Sequence, residues 1–308
     1  MKRVIVYSVA IAALIFIGIY YYRNNVELMP IGVHAGGVHA GAKPILTSEN
    51  GNTPLQVNSV APSAALNIEK LDVYTLSGSE DYAALKAHFQ VAADHGDPTA
   101  RRIIAQIYEY CGFYHRPRND YKETIEQLKK SNPNDVAKIA NIDAQLSKRC
   151  ATLDHGLPIT YELLQTTWAK ATEARDLVAT LKAATQDQTL SGNFVDQLIE
   201  RTLNSNDAGA LFELGSLLAQ NSNSVQYQNL SGPVINESAW QIAACRLGGA
   251  DLCGPDSQIM SSFCLSGNCQ FQNYEDMVRD AVPRSEQFRL DQAISQIETL
   301  IRQRNTKK

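Results

Sequence analysis

Apolar residues fall into three regimes along the chain. Val4 to Tyr22 is an unbroken run with no charge and no proline, preceded by Lys2 and Arg3 and closed by Arg23. From Asn24 to about Leu76 no helical period persists, and Pro30, Pro44, Pro54 and Pro62 interrupt a segment rich in glycine. Beyond Ser79 apolar positions recur three and four residues apart, as on one face of an α-helix, and the alternation of a strand is almost absent.

The periodic region predicts a series of helices. One covers 80–94 with Leu85, Phe89, Ala92 and Ala93. A second covers 98–111, with Ile103, Ile104, Ile107, Tyr108 and Cys111 on one face. Asp120 and Glu123 have the spacing of a capping box ahead of a third. Ile139, Ile142, Leu146 and Cys150 mark a helix over 134–150, and Leu164, Trp168, Ala171, Val178 and Leu181 a long one from 160 to about 184. A helix over 193–204 and a closing one over 284–304, with Leu290, Ile294, Ile297 and Ile301, complete the set. The expected fold is all-α: an N-terminal transmembrane helix, a disordered linker, and a solenoid-like domain of α-helical hairpins over 79–308.

A motif recurs inside that domain. Gly96-Asp97-Pro98-Thr99-Ala100 is followed by Ile104, Ala105, Ile107 and Tyr108; 110 residues on, Asn206-Asp207-Ala208-Gly209-Ala210 is followed by Leu214, Gly215, Leu217 and Leu218. Small residues at Ala100, Ala105, Ala210 and Gly215 let helices approach closely. A third unit is expected over 239–264, with Ala243 and Ala244 matching Ala92 and Ala93. The pattern resembles tetratricopeptide-like repeats, particularly their Sel-like subgroup, over about half of residues 80–265. That resemblance implies stacked hairpins whose concave face binds peptides or partner proteins. The block from Ala239-Trp240-Gln241 through Asp251-Leu252-Cys253-Gly254 and Cys264 to Gly267-Asn268-Cys269 is similar to the C-terminal block of uncharacterised gammaproteobacterial envelope proteins. It implies a compartment and no activity.

The first run sets topology. Nineteen residues at about 1.5 Å each make a helix of about 28 Å, close to the hydrocarbon thickness of a bilayer. Tyr20, Tyr21 and Tyr22 sit where an interfacial aromatic belt belongs. A cleaved signal peptide would have a shorter apolar stretch, with a small-x-small site close behind it. The nearest such sites, Val38-His39-Ala40 and Ala40-Gly41-Ala42, lie well past the run. The expectation is an uncleaved anchor in a bacterial inner membrane. Residues 1–3 form a cytoplasmic end, 4–22 the span, 23–78 a flexible linker, and the bulk is periplasmic. The linker repeats Gly32-Val33-His34-Ala35-Gly36 as Gly37-Val38-His39-Ala40-Gly41. Two histidines are too few for a defined zinc site, so this reads as a duplicated spacer.

Six cysteines, at 111, 150, 245, 253, 264 and 269, all follow the anchor. In an exported chain an even number reads as disulfides, with 15 pairings open in principle. Proximity favours Cys111–Cys150, because each ends a helix on its apolar face. It favours Cys245–Cys253 across Gly248-Gly249, and Cys264–Cys269 across Gly267. A zinc site from the last four lacks paired knuckles, since seven, ten and four residues separate them. No Cys-x-x-Cys occurs, so redox catalysis has no motif.

One sequence feature carries an enzymatic reading. Glu237-Ser238-Ala239-Trp240, with Gly249-Ala250 following, resembles the opening of the lytic transglycosylase motif, in which the glutamate is the general acid and base on peptidoglycan. That motif continues Gly-Leu-Met-Gln, whereas this chain has Leu252-Cys253-Gly254-Pro255. The alternative is that Glu237 meets the dipole of a helix start and Trp240 is core. There is no phosphate loop, His-Glu-x-x-His or nucleophile elbow. His88, His95 and His115 read as isolated side chains, and no metal or cofactor is expected.

Composition narrows the rest. The chain has 28 basic and 32 acidic residues, a net charge of −4. With Lys2, Arg3 and Arg23 set aside, 25 basic residues face 32 acidic ones, so the exported part carries −7. Such a surface argues against nucleic acid as a partner and against adhesion to anionic lipid. The expected role is a protein-interaction scaffold in the cell envelope. A peptidoglycan-active enzyme built on Glu237 and an envelope inhibitor or immunity-type binder are the alternatives.

Overall fold

Twelve α-helices and three 3₁₀ turns make up the described residues, with no strand among them. The structure is a computed structural model and describes residue 76 and residues 78–305, apart from 116–119, 188, 222 and 233. The expected cytoplasmic end, membrane span and His34/His39 repeat, and nearly all of the linker, lie outside them. No helix among the described residues is long and apolar enough to cross a membrane.

The chain order begins α1 (Tyr82–Asp94), α2 (Pro98–Cys111), α3 (Asp120–Ser131) and α4 (Val136–Cys150). It continues α5 (Tyr161–Glu173), α6 (Leu177–Thr185), α7 (Gly192–Ser205) and α8 (Ala208–Gln220). It ends with α9 (Ile235–Cys253), α10 (Gln258–Leu265), α11 (Tyr274–Ala281) and α12 (Gln287–Asn305). Leu76, ahead of α1, is already packed in the core, and the Tyr82 hydroxyl donates to its carbonyl at 3.0 Å.

Three hairpins share one turn. In α1–α2, α5–α6 and α7–α8 the turn passes through a left-handed residue, Gly96 (φ 90°), Arg175 (φ 66°) or Asn206 (φ 59°). An aspartate follows each. Asp97, Asp176 and Asp207 accept from the amides of Ala100, Ala179 and Ala210, satisfying orphan donors at the helix starts. In the first two turns the backbone pattern is also the same: Asp97 and Asp176 donate to Ala92 and Ala171, five residues back.

This corrects two expectations. The long helix expected from 160 to about 184 is a hairpin, because Asp176 caps a new helix and Arg175 turns the chain. The apolar period continued across the turn and hid it. The unit expected over 239–264 does not use this turn. Its two helices, α9 and α10, meet through Gly254–Ser257, and Ser257 caps α10. Within α9 the helix kinks at Gly249.

Arg102 on α2 binds the hairpins together. It is 4% exposed, and its guanidinium reaches the caps of the next two hairpins, Asp176 at 3.4 Å and Asp207 at 2.7 Å. Two apolar clusters fill the interior. One gathers Tyr82, Ile103, Ile107, Ile139 and Leu146 from α1, α2 and α4. The other gathers Leu198, Leu214, Leu217, Trp240, Ile242 and Ile297 from α7, α8, α9 and α12. Helix α10 joins them, with Met260 in the second and Cys264 in the first. The cysteines are bonded as Cys111–Cys150, Cys245–Cys253 and Cys264–Cys269. The first ties the ends of α2 and α4; Lys138 of α4 holds the Cys269 carbonyl at 2.6 Å.

Candidate functional site

A cleft of about 440 Å³ opens where the two clusters face each other. Helices α1, α2, α4 to α6 and α8 to α11 all contribute to it. Aromatic rings form much of its wall. Tyr82 and Tyr110 meet edge to face at 5.3 Å, and the Arg149 guanidinium lies about 6 Å over both rings. Tyr274 is flanked by Phe212 at 5.2 Å and Phe263 at 5.8 Å.

The polar groups of the cleft are unevenly satisfied. Lys182 of α6 pairs with Glu109 of α2 at 2.6 Å and sits 4.6 Å over the Trp168 ring. Burial pulls the Lys182 ammonium down, but Glu109 and Glu213 outweigh it and leave its pKa raised. Glu213 shares that single lysine. Burial pushes its carboxyl up, Lys182 opposes this and Glu109 adds to it. Three residues of the cleft lining each hold a buried atom with no hydrogen-bond partner among the described residues: Gln106 Oε1, Trp168 Nε1 and Ser261 Oγ. Ser261 is 1% exposed, so its hydroxyl has left water without replacing it.

Glu237 lies in the first turn of α9 and opens onto the same cleft. Close helix approach puts it there. A β-carbon on Gly215 of α8 would stand 3.0 Å from the Glu237 carbonyl and 3.1 Å from Trp240 Cβ, so the pair packs this tightly because residue 215 is glycine. Burial raises the Glu237 carboxyl pKa, and the Gln241 amide draws it the other way. Gln241 in turn donates to Ser216 Oγ at 3.1 Å and accepts from the Tyr274 hydroxyl. Trp240 is fully buried, its indole donating to the Leu230 carbonyl at 2.9 Å.

The other sequence candidates are apart from one another. His88 stands against Phe89, His95 ends α1 with Nδ1 on the Val91 carbonyl, and His115 is buried with Nε2 on the Cys150 carbonyl. Among the described residues no group of three or more metal-ligating side chains comes together. Sequence reasoning missed Glu109, Lys182 and Glu213. A signal existed for two of them. Glu213 is the one charged residue of Ala208–Gln220, and Lys182 the one charged residue of Leu177–Thr185. No family model, curated protein or solved structure matches the chain.

Proposed function

We propose that this chain is a helical-hairpin binding module of the bacterial cell envelope, whose cleft receives a partner protein or peptide. The observation that carries the reading is the cleft itself: an aromatic wall joined to buried polar atoms without partners. A closed structural core would have filled or satisfied those positions. The shared left-handed-residue-plus-aspartate turn supports the likeness to tetratricopeptide and Sel-like hairpins. Three cysteine pairs suit an oxidising compartment, which fits export past an anchor at 4–22. Affinity capture on the full chain and on its Ile259→Trp variant, which fills the cleft from its wall, tests the reading. A partner retained by the parent and lost by the variant supports it. Equal retention by both refutes the cleft as the binding surface.

A second reading rests on Glu237. A half-buried glutamate with a raised pKa beside a cleft is the arrangement a general acid needs. If the protein cleaves peptidoglycan, purified sacculi release soluble fragments with the parent and none with Glu237→Gln. No release by the parent removes this reading.

A further inference from the structure

We infer that the cleft takes a primary ammonium group on an apolar stem, presented as a lysine side chain by a partner peptide. The inference rests on the binding reading and specifies its ligand. The charge distribution points to it. Glu109 and Glu213 share Lys182, while no cationic side chain pairs with Glu237 among the described residues. Glu237 therefore stands in an aromatic-walled cavity as a carboxylate without a counter-charge. Burial already disfavours its charged form, and an incoming cation would remove that cost.

The surroundings suit an ammonium. Such a group has three donors and no acceptor. Glu237 supplies a charged acceptor, and Ser261, also in the cleft lining, holds a buried hydroxyl that no group among the described residues uses. Phe212, Phe263 and Tyr274 line the cleft together, and aromatic rings attract a cation and cover an alkyl stem. A guanidinium would ask for a bidentate carboxylate in a matching plane. Here the unused acceptors besides the Glu237 carboxylate are the Ser261 hydroxyl and the Gln106 amide oxygen, on different helices.

The full chain has two tryptophans, so selective indole labelling gives two ¹⁵N–H signals. Trp168 lines the cleft and Trp240 is sealed in the core, which makes the second an internal control for folding. The probes are acetyl-Phe-Lys-Phe-amide, its norleucine and arginine counterparts, and the free diamine cadaverine. The lysine peptide should move the Trp168 signal and leave Trp240 in place. The neutral norleucine peptide should bind about tenfold or more weakly, the scale of a charge-assisted hydrogen bond. Glu237→Gln should abolish that preference. If its Trp240 signal moves, Ser261→Ala carries the same test with a smaller change, and there the preference should fall.

Equal binding of the norleucine peptide, or a lysine preference that survives Glu237→Gln, overturns the inference. Cadaverine binding as tightly as the peptide overturns the peptide source, and a tighter arginine peptide overturns the choice of ammonium. A Trp168 signal that no probe moves overturns the ligand class. The capture experiment with Ile259→Trp then judges the binding reading separately.

Discussion

Arg102→Met should be among the most damaging single substitutions in the domain. Methionine keeps much of the aliphatic stem, so the change isolates the guanidinium. In the structure that group is 4% exposed and bridges two helix-capping aspartates, Asp176 at 3.4 Å and Asp207 at 2.7 Å. Removing one partner of a buried ion pair costs about 3–5 kcal/mol, because the remaining charge stays out of water without compensation. Asp176, itself 6% exposed, is the group left behind. A domain of this size has a total stability of about 5–15 kcal/mol, so the variant should fold but be marginal.

The loss should also depend on pH in a defined direction. Burial raises the Asp176 pKa, and Arg102 is the largest influence opposing it. A folded-state pKa above the unfolded one means that the carboxylate costs stability above the folded pKa, and that this cost vanishes below the unfolded one. Without Arg102 the folded pKa rises further. The deficit of the variant should therefore be largest near neutrality and shrink towards about pH 4, near the unfolded aspartate value. Urea titration at both pH values measures it. Adding Asp176→Asn removes the stranded charge and keeps a good capping residue, so the double variant should recover most of the loss. A loss under about 1 kcal/mol, an equal loss at both pH values, or no recovery would refute the reasoning.

Three further outcomes follow from the same structure. Replacing both Cys111 and Cys150 by alanine should cost about 4 kcal/mol in urea titration, from the chain entropy of a 39-residue separation. The separations of 8 and 5 predict about 2–2.5 kcal/mol for each of the other two pairs. Gly215→Val should cost about 1–3 kcal/mol and displace Glu237, because its side chain would enter space held by the α9 backbone. Glu237→Gln should raise the melting temperature near neutrality and leave it unchanged at about pH 3. The raised folded pKa makes the carboxylate a cost that disappears once both states are protonated.

The all-α class and most helix boundaries were legible because single helices bury one stripe, and the stripe is written in the spacing of Ile103, Ile107 and their kind. The hairpin at Arg175-Asp176 was not, because its apolar positions stayed in phase across the turn and arginine is not a residue that advertises a left-handed conformation. The aspartate three residues before Ala179 was the readable clue, since Asp97 and Asp207 have the same spacing to Ala100 and Ala210. Close approach at Gly215 was legible as small-residue spacing. Glu237 was legible as a candidate from its motif, but its placement beside Tyr274, in one cleft with Ser261, depends on how α9, α10 and α11 pack. Glu213 and Lys182 could have been found as lone charges in apolar helices. Glu109, which pairs with Lys182, lies 73 residues from it, and no local pattern reports such a distance.

The most direct test of the cleft as a binding surface is photocrosslinking in the cells that make the protein. One photoreactive side chain would be placed at Ile259 on the cleft wall and another at Phe288, which is 77% exposed on α12. The account predicts a discrete adduct from position 259, absent from position 288 and lost when Glu237→Gln is added. The same adducts from both positions, or none from 259, would contradict it.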